Sequence, residues 1–485
     1  MAPSIRTFDV PQDLTVQAAI RLFECEPFLL VLDSAARHRE RDSRYTILTA
    51  DPVLICRIDQ VQYGSDPFAT LRSWQKNAFR AGNHDAEDAP PFAGGVAGLM
   101  GYELGQAFER LPTRTHDDFR TPDLLAGLFD WAIVWDHLKN TVLGYLVDIA
   151  EHLQTDNSKS RTDWALQRIA QVRCNNNVEP SPNAVAETRE RTSFPPSPPA
   201  TGVKRIEPSA DVYSNFTRDE YIESVNRVVE YIRAGDIFQA NLSQRLLAPW
   251  PKTAVELYFN VRKHNPAPFC GLLQCDDVAI VSASPERFLK VDRFGTVETR
   301  PIKGTRRRPR SPIADLFAAS ELASSEKDRS ENVMIVDLLR NDLSRSCRAG
   351  SVKVAGLCEI ERFETVLHLV STVVGQLAPD HDVWNLIARC FPGGSITGAP
   401  KIRAMEIIAE LEPSVRGAYC GSLFALSPLG DFDSSILIRT FTLKNGWVQF
   451  PVGGGIVADS DSLDEYRETL HKASGMLRSL RATHP

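Results

Sequence analysis

No apolar run in this chain approaches the ~20 residues that a membrane-spanning helix needs, so a bilayer-embedded protein is not expected. The start, MAPSIRTFDVP, lacks the basic and then apolar regions of a secretory leader, and a cytoplasmic location is expected. Basic residues are not in excess either: 55 Lys and Arg against 62 Asp and Glu leave a formal charge of -7. A nucleic acid or an anionic membrane would need a dominant basic field, so neither is an expected partner. Cysteine is sparse and never paired. Nine residues scattered singly from Cys25 to Cys420, with no CxxC spacing, fit buried reduced thiols and offer no disulfide frame or zinc site. Internal repeats and a Gly-Lys-Ser/Thr phosphate loop are also missing.

What is present is an ordinary globular composition, 43% hydrophobic and 24% charged, over 485 residues, more than a single ordinary core holds. The segment 174–210, with CNNN and SFPPSPPA, reads as a proline-rich linker between an amino-terminal region, 1–173, and a denser region, 211–485. Both regions are expected to contribute to one composite core.

An apolar run from Phe28 to Leu32 ends in Asp33 and Ser34, and a second run begins near Tyr45 after a charged stretch. Together they predict a β-hairpin with a long polar connection. Gly82 to Pro91 reads as a loop, and Leu124 to Val147 as two further strands. Thr217 and Glu220 form a capping-box pair, Tyr221, Val225 and Ile232 recur at helical spacing, and Gly235 suits a C-cap, which predicts a helix between them. The period then becomes two. Phe238, Ala240 and Leu242 share one face; Gln239, Asn241, Ser243 and Arg245 share the other, which either meets solvent or lines a polar cavity. Strands at Val278 to Ala283 and Arg287 to Val291 flank Glu286, and a strand over Thr296 to Ile302 delivers Lys303.

Lys303 stands in PIKGT, followed by Arg306, Arg307 and Arg308. A lysine there is commonly a solvated strand end. To act as a nucleophile it needs a lowered pKa, from desolvation or from neighbouring cations such as these arginines, and the basic cluster also suits a small anion. Glu331 opens the helical stretch ENVMIVDLLRNDLSR. In DEYRETLHKA, Glu465, Glu468 and Lys472 fall at i, i+3 and i+7 and share a helical face, although Ser462 and Glu465 also make a capping box. Glutamates converging without histidine or cysteine suit a hard cation such as Mg2+; a salt-bridged surface helix is the alternative. PGGSITGAPK puts Gly393, Gly394, Ser395, Thr397 and Gly398 before a helix starting near Pro400, where backbone N–H groups favour a carboxylate or phosphate. Gly453, Gly454 and Gly455 allow close approach of a ligand or make a tight turn, and too few residues follow them for a dinucleotide-binding unit.

In chain order, GDIFQANLSQR, SASPERFL, PIKGT, ENVMIVDLLRNDLSR, ETVLHLVS, PGGSITGAPKIRAMEII, SSILIRT, PVGGGIVADS and DEYRETLHKA resemble the chorismate-utilising enzymes from about Thr217 to Ala482. FLLVLDSA and GYELG are similar to the amino-terminal part of the large subunits in that family. The resemblance implies an α+β fold, two opposed and mostly antiparallel β-sheets in a sandwich core with helices outside. It implies chorismate as substrate and Mg2+ as cofactor. Glu331, Glu465 and Glu468 match the metal-associated positions. Gly304, His368, Ser395, Thr397, Tyr419, Arg439, Gly453, Gly454, Gly455 and Lys472 match positions around the substrate. Lys303 matches a nucleophile for C2 of the substrate ring, and Glu286 the acid that protonates the C4 hydroxyl as it leaves.

Anthranilate synthases of this family carry alanine in the PIAGT motif; lysine there marks the branch that aminates C4 on the way to para-aminobenzoate and folate. Cys420, in AYCGS, is not the GxCxG elbow of a glutamine amidotransferase, so ammonia is expected from a separate amidotransferase subunit or as the free base. No lyase module is expected beyond Lys472. Ser34, Tyr45 and Pro268 correspond to a possible tryptophan pocket, with VLDS where anthranilate synthases have LLES. The competing expectations are anthranilate synthase, an isochorismate or salicylate synthase using water, and a non-catalytic tryptophan-sensing subunit.

Overall fold

The computed structural model describes residues 4–36, 44–79, 89–112, 116–150, 163–170, 204–205, 211–309, 311–362 and 366–481. The loop expected from Gly82 falls largely outside these residues, as does the 174–210 linker except for residues 204 and 205, which form a short strand.

The Phe28 run folds as the strand Phe28–Asp33 and pairs antiparallel with Tyr45–Ala50, the expected hairpin. Its alternate side chains do not divide into an inner and an outer set, because both faces are covered. Phe28 and Leu30 point into the core between the sheets, and Leu29 and Val31 into a core beneath helices. The stretch from Leu124, read as two strands, is three: Leu124–Phe129, Trp131–Asp136 and Thr141–Val147. The first belongs to one sheet and the other two to the opposite sheet, so the chain changes layer at Asp130. A corner of one residue inside a continuous apolar run leaves no turn signal.

Among the described residues, thirteen strands form one sheet and ten the other, and the pairings are antiparallel. The larger sheet runs through Tyr45–Ala50 and Phe28–Asp33 into Phe269–Cys275, Val278–Ser284, Thr440–Lys444, Trp447–Ile456 and Gln239–Pro249. The smaller runs from Ile302–Arg307 through Val366–Gln376, Arg287–Val291 and Ser422–Leu426 to Gly95–Met100 and Leu124–Phe129. Strands from both ends of the chain thus share each sheet. Phe28, Leu30 and Leu273 from one layer meet Leu99, Leu125, Phe129 and Leu423 from the other, and each such burial contributes about 1.5–3 kcal/mol. Helices Val16–Phe23 and Ala254–His264 cover one outer face; Ala69–Asn77 and Val383–Cys390 cover the other.

The helix expected after Thr217 is Arg218–Arg233, with both halves of the capping box made and Gly235 at φ 85°. The polar face of Gln239–Pro249 is not solvated: Gln239, Ser243 and Arg245 are buried, and it is Phe238 that is exposed. The strand read as continuous to Lys303 breaks into Thr296–Thr299 and Ile302–Arg307 at Pro301, which has no N–H to give to a ladder. The helix assigned to begin at Glu331 begins at Glu326, capped by Ser325, which places Glu331 in its second turn. The helix Pro312–Ser324 lies between these elements.

One buried ion pair fastens the loops to the sheets. Arg416, 2% exposed, makes a two-pronged contact with Glu412 at 2.7 and 3.0 Å and donates to Ile396 O and Asn241 O at 3.0 and 2.6 Å. Glu412 also accepts from the N–H and hydroxyl of Ser243, and Glu103 accepts from the N–H groups of Arg416 and Gly417. Arg416→Met would leave the Glu412 carboxylate buried without its counter-ion and would remove a donor from two carbonyls. The expected loss is roughly 3–5 kcal/mol in urea unfolding; a loss under about 1 kcal/mol would show that the pair carries little of the fold.

Candidate active site

Glu286 lies between Val278–Ser284 of the larger sheet and Arg287–Val291 of the smaller, at the point where the chain crosses layers. Ser284 fixes the turn: its hydroxyl donates to Ile436 O at 2.5 Å and accepts from the Glu286 N–H at 3.2 Å. The Glu286 carboxyl is 5% exposed and accepts from Ser395 Oγ at 2.8 Å. Burial drives its pKa up to about 7, against the opposing pull of the Ser395 hydrogen bond, the Lys303 charge and the Ile302 N–H.

Lys303 reaches the same serine from the other side, donating from Nζ to Ser395 O at 3.2 Å. It sits where the register against Val366–Gln376 shifts between Ile302 and Thr305. Gly304 makes that bulge at φ 79°, and a Cβ there would lie 2.9 Å from both Asp328 and Leu322. Burial lowers the Lys303 pKa and Lys472 adds to the effect, while Glu331, Glu286 and Glu468 oppose it. The arginines after Thr305 have a different role from the one expected. Arg306 pairs with Glu321 and Asp328, and Arg308 with Asp315, so they fasten helices to the Lys303 strand and are not a free anion site.

Thr305 stands opposite His368, whose Nδ1 is 2.9 Å from its hydroxyl. Burial, with Arg439 nearby, lowers the His368 pKa to about 4, so the ring is neutral at pH 7. Arg439 adopts φ 52°, a strained left-handed backbone; its residue is exposed, yet desolvation of the guanidinium by surrounding protein lowers its pKa. In the 393–398 loop, Ser395 is the residue joined to both Glu286 and Lys303. Thr397 is fully buried and donates its hydroxyl to Gly393 O at 3.0 Å, so it braces the loop. Tyr419 is buried against the Arg416 guanidinium.

The triple glycine forms no turn. It lies inside the strand Trp447–Ile456, with Gly453, Gly454 and Gly455 opposite Ser243, Leu242 and Asn241. A Cβ on Gly455 would fall 2.3 Å from Gln239 Nε2. One on Gly454 would fall 3.2 Å from Glu465, 3.6 Å from Glu468 and 3.7 Å from Lys472. The absence of side chains is what admits these groups. Glu465, Glu468 and Lys472 share a face of the helix Ser462–Arg481, as their spacing implied. Ser462 is not the cap; Asp461 accepts from the N–H groups of Leu463 and Asp464, and Ser460 donates to Glu465 at 2.7 Å. Lys472 Nζ contacts Glu468 at 2.7 Å and Gly453 O at 2.9 Å.

Burial raises the pKa of Glu331 and of Glu465. It pushes Glu468 up as well, but Lys472 outweighs it and the net shift is downward. This all-oxygen donor set suits Mg2+ chemically. Among the described residues, however, no three His, Cys, Asp or Glu side chains stand close enough to hold a metal ion as they are placed.

Three site residues carried little or no sequence signal. Gln239 is fully buried, and neither atom of its amide has a hydrogen-bond partner among the described residues. Asn241 donates to Ser395 O at 3.3 Å, beside Lys303. Both lay on the face that alternation left open as solvated or cavity-lining. Lys327 acts electrostatically on Glu331, Glu465 and Glu468, and it precedes the point at which the sequence appeared to start that helix. Ser34 and Tyr45 adjoin, the Ser34 N–H donating to Tyr45 O at 3.2 Å, and Pro268 immediately precedes the strand Phe269–Cys275, which pairs with Phe28–Asp33. Asp33 beside them is buried against Arg262, Tyr258 and Thr46 at 2.6–2.7 Å. A cavity of about 520 Å³ between Arg72, Trp384 and Lys401 includes none of the reactive groups.

A cleft of this composition between two such sheets is that of a chorismate-binding enzyme: the chain matches that family over residues 31–478 and belongs to it. It is 39% identical over 451 residues to aminodeoxychorismate synthase component 1 of Escherichia coli, covering 90% of each chain. It is 37% identical to anthranilate synthase component 1 of Thermus thermophilus, covering 99% of this chain and 97% of the relative. The structure of anthranilate synthase component I from Streptococcus pneumoniae superposes with a TM-score of 0.73 at 30% identity, over 90% of this chain and 93% of that one. The menaquinone-specific isochorismate synthase of Escherichia coli, 16% identical with a TM-score of 0.68 over 99% of this chain and 95% of its own, shares the fold.

The pH dependence of stability tests the Glu286 environment. Its folded pKa near 7 lies above the ordinary 4.5, so the stability it permits is full below 4.5 and falls as pH rises to 7. Glu286→Gln removes that dependence. The variant is expected to be more stable than the parent by about 3 kcal/mol at pH 8 and equal to it near pH 4.5 in urea unfolding. A difference that stays constant with pH would refute the shift.

Proposed function

We propose that this chain is the synthase component that converts chorismate and ammonia to 4-amino-4-deoxychorismate, the precursor of para-aminobenzoate in folate synthesis. The observation that carries the reading is a half-buried lysine, Lys303, joined through Ser395 to a buried carboxyl whose pKa lies near 7. Burial lowers the lysine's affinity for a proton and raises the carboxyl's, shifts that favour a neutral nucleophile beside a protonated acid. The resemblance to aminodeoxychorismate synthase component 1 from several bacteria, at 33–40% identity, supports it.

Lys303 Nζ attacks C2 of the diene, the double bonds shift, and the C4–O bond breaks with the proton of Glu286 passing to the departing hydroxyl, which leaves as water. Ammonia then bonds to C4, the double bonds shift back, and the lysine leaves as the amine; Glu286 regains a proton from the incoming nitrogen. The net exchange is hydroxyl for amino at C4. Arg439 and Lys472 bind the substrate's carboxylates, whose mutual repulsion would otherwise oppose entry. Glu331, Glu465 and Glu468 are the residues that would hold Mg2+, which when bound supplies positive charge to a substrate carboxylate. Lys472 and Lys327 stand among these carboxylates without it.

Anthranilate synthase is the second reading, favoured by the full-length similarity to the Thermus thermophilus protein. Lys303 weighs against it, because an amine bonded at C2 excludes ammonia from that carbon. Incubation with chorismate, Mg2+ and ammonium salt is expected to yield 4-amino-4-deoxychorismate by mass spectrometry and chromatography; anthranilate as the product would sink the assignment. Trapped enzyme is expected to carry the ring adduct on Lys303 and on no other lysine. Glu286→Gln is expected to lower kcat by about 10²–10⁴ with the adduct forming slowly.

A further inference from the structure

Ile313, Leu316 and Phe317 lie at i, i+3 and i+4 of the helix Pro312–Ser324, on one face, and are 69%, 64% and 74% exposed. Among the described residues, no other helix exposes more than one large apolar side chain. Such a stripe on an otherwise well-covered molecule marks an interaction surface. The opposite face is fully engaged. Ala319 and Leu322 pack with Cys358, Leu367 and Leu369, and Leu322 also lies against Gly304. Asp315 pairs with Arg308, just past the Lys303 strand, and Glu321, at the edge of the exposed face, pairs with Arg306 of that strand.

We propose that this outer face is the docking surface for the glutamine-hydrolysing subunit that supplies ammonia, a proposal that rests on the amination reading above. Location selects that occupant. Ammonia released into neutral water is protonated and no longer nucleophilic, so its source must sit close to the cleft. A protein seated on this helix stands about one helix diameter, ~10–12 Å, from the strand that carries the reacting amine. A second copy of this chain seated there would bring nothing the cleft lacks. The three side chains form the apolar centre, and the exposed Arg307 and Glu321 belong to the polar rim of an interface of ordinary size.

The test uses the full chain with Leu316→Glu and Phe317→Glu together, with Phe317→Ala as a milder variant. Three measurements are made: ammonia-dependent synthesis by the chain alone, glutamine-dependent synthesis with the amidotransferase subunit of the same organism, and the dissociation constant of the two subunits. The double variant is expected to keep ammonia-dependent activity within about twofold and to weaken subunit association roughly a hundredfold or more, with Phe317→Ala between. Unchanged association overturns the proposal. So does loss of the ammonia-dependent activity, which would mean that the helix serves the Lys303 strand and not a partner. A parent dimer that the double variant converts to monomer in sedimentation overturns it too, because the occupant is then a second copy. If the parent chain makes no aminated product from ammonia, the amination reading fails, and the association constants alone still decide where the subunit docks.

Discussion

The site depends on keeping an amine and a carboxyl out of water without letting them neutralise each other. Direct contact would favour the charged pair, a lysinium and a carboxylate, neither of which has the proton where the chemistry wants it. Ser395 stands between them, giving its hydroxyl to Glu286 and its carbonyl to Lys303. That spacing leaves burial as the leading influence on both groups. The serine needs a fixed position, and the Arg416–Glu412 pair provides it by gripping Ile396, the next residue, together with Asn241 on the neighbouring strand. Glu103 from the amino-terminal region holds Arg416 in turn. A line of hydrogen bonds thus runs from the first half of the chain to the reacting groups.

The α+β sandwich was expected from the family resemblance; what the local patterns themselves made legible were the hairpin, the capped helix after Thr217 and the period-two strand from Gln239. The pairing of Glu465, Glu468 and Lys472 was legible too, since helical spacing decides it. The readings that failed or stayed open were non-local. Whether Gln239 and Asn241 face water depends on what covers them, and that cover is the 393–398 loop, more than a hundred residues away. The arginines beside Lys303 could be counted but not aimed, because their partners Glu321, Asp328 and Asp315 lie on helices with separate local signals. The cation that does act on Lys303, Lys472, comes from the last helix.

The break at Asp130, inside an apolar run, was also hidden; the one at Ser284–Glu286 was read, but not its change of sheet. Asp130 and the Ser284–Glu286 turn both carry the chain from one sheet to the other within a few residues, and neither needs a glycine or a long loop. The second crossing is the position of the acid. A layer crossing is one of the few places in a sandwich where a side chain enters the space between sheets without displacing core residues. Glu286 uses it, and burial at that point gives its carboxyl a pKa near 7.

The interleaved sheets also govern how the molecule comes into being. Phe28–Asp33 borders Phe269–Cys275, and Gly95–Met100 borders Ser422–Leu426, so strands made early wait for partners made late. At roughly 5–20 residues per second, a ribosome takes tens of seconds to deliver them. During that interval the open strand edges of the first half are free to pair wrongly, and such non-local closure is slow in any case. The nascent first half therefore needs shelter, and a chain cut between the halves would leave two fragments, each with unfinished sheets, in place of two domains.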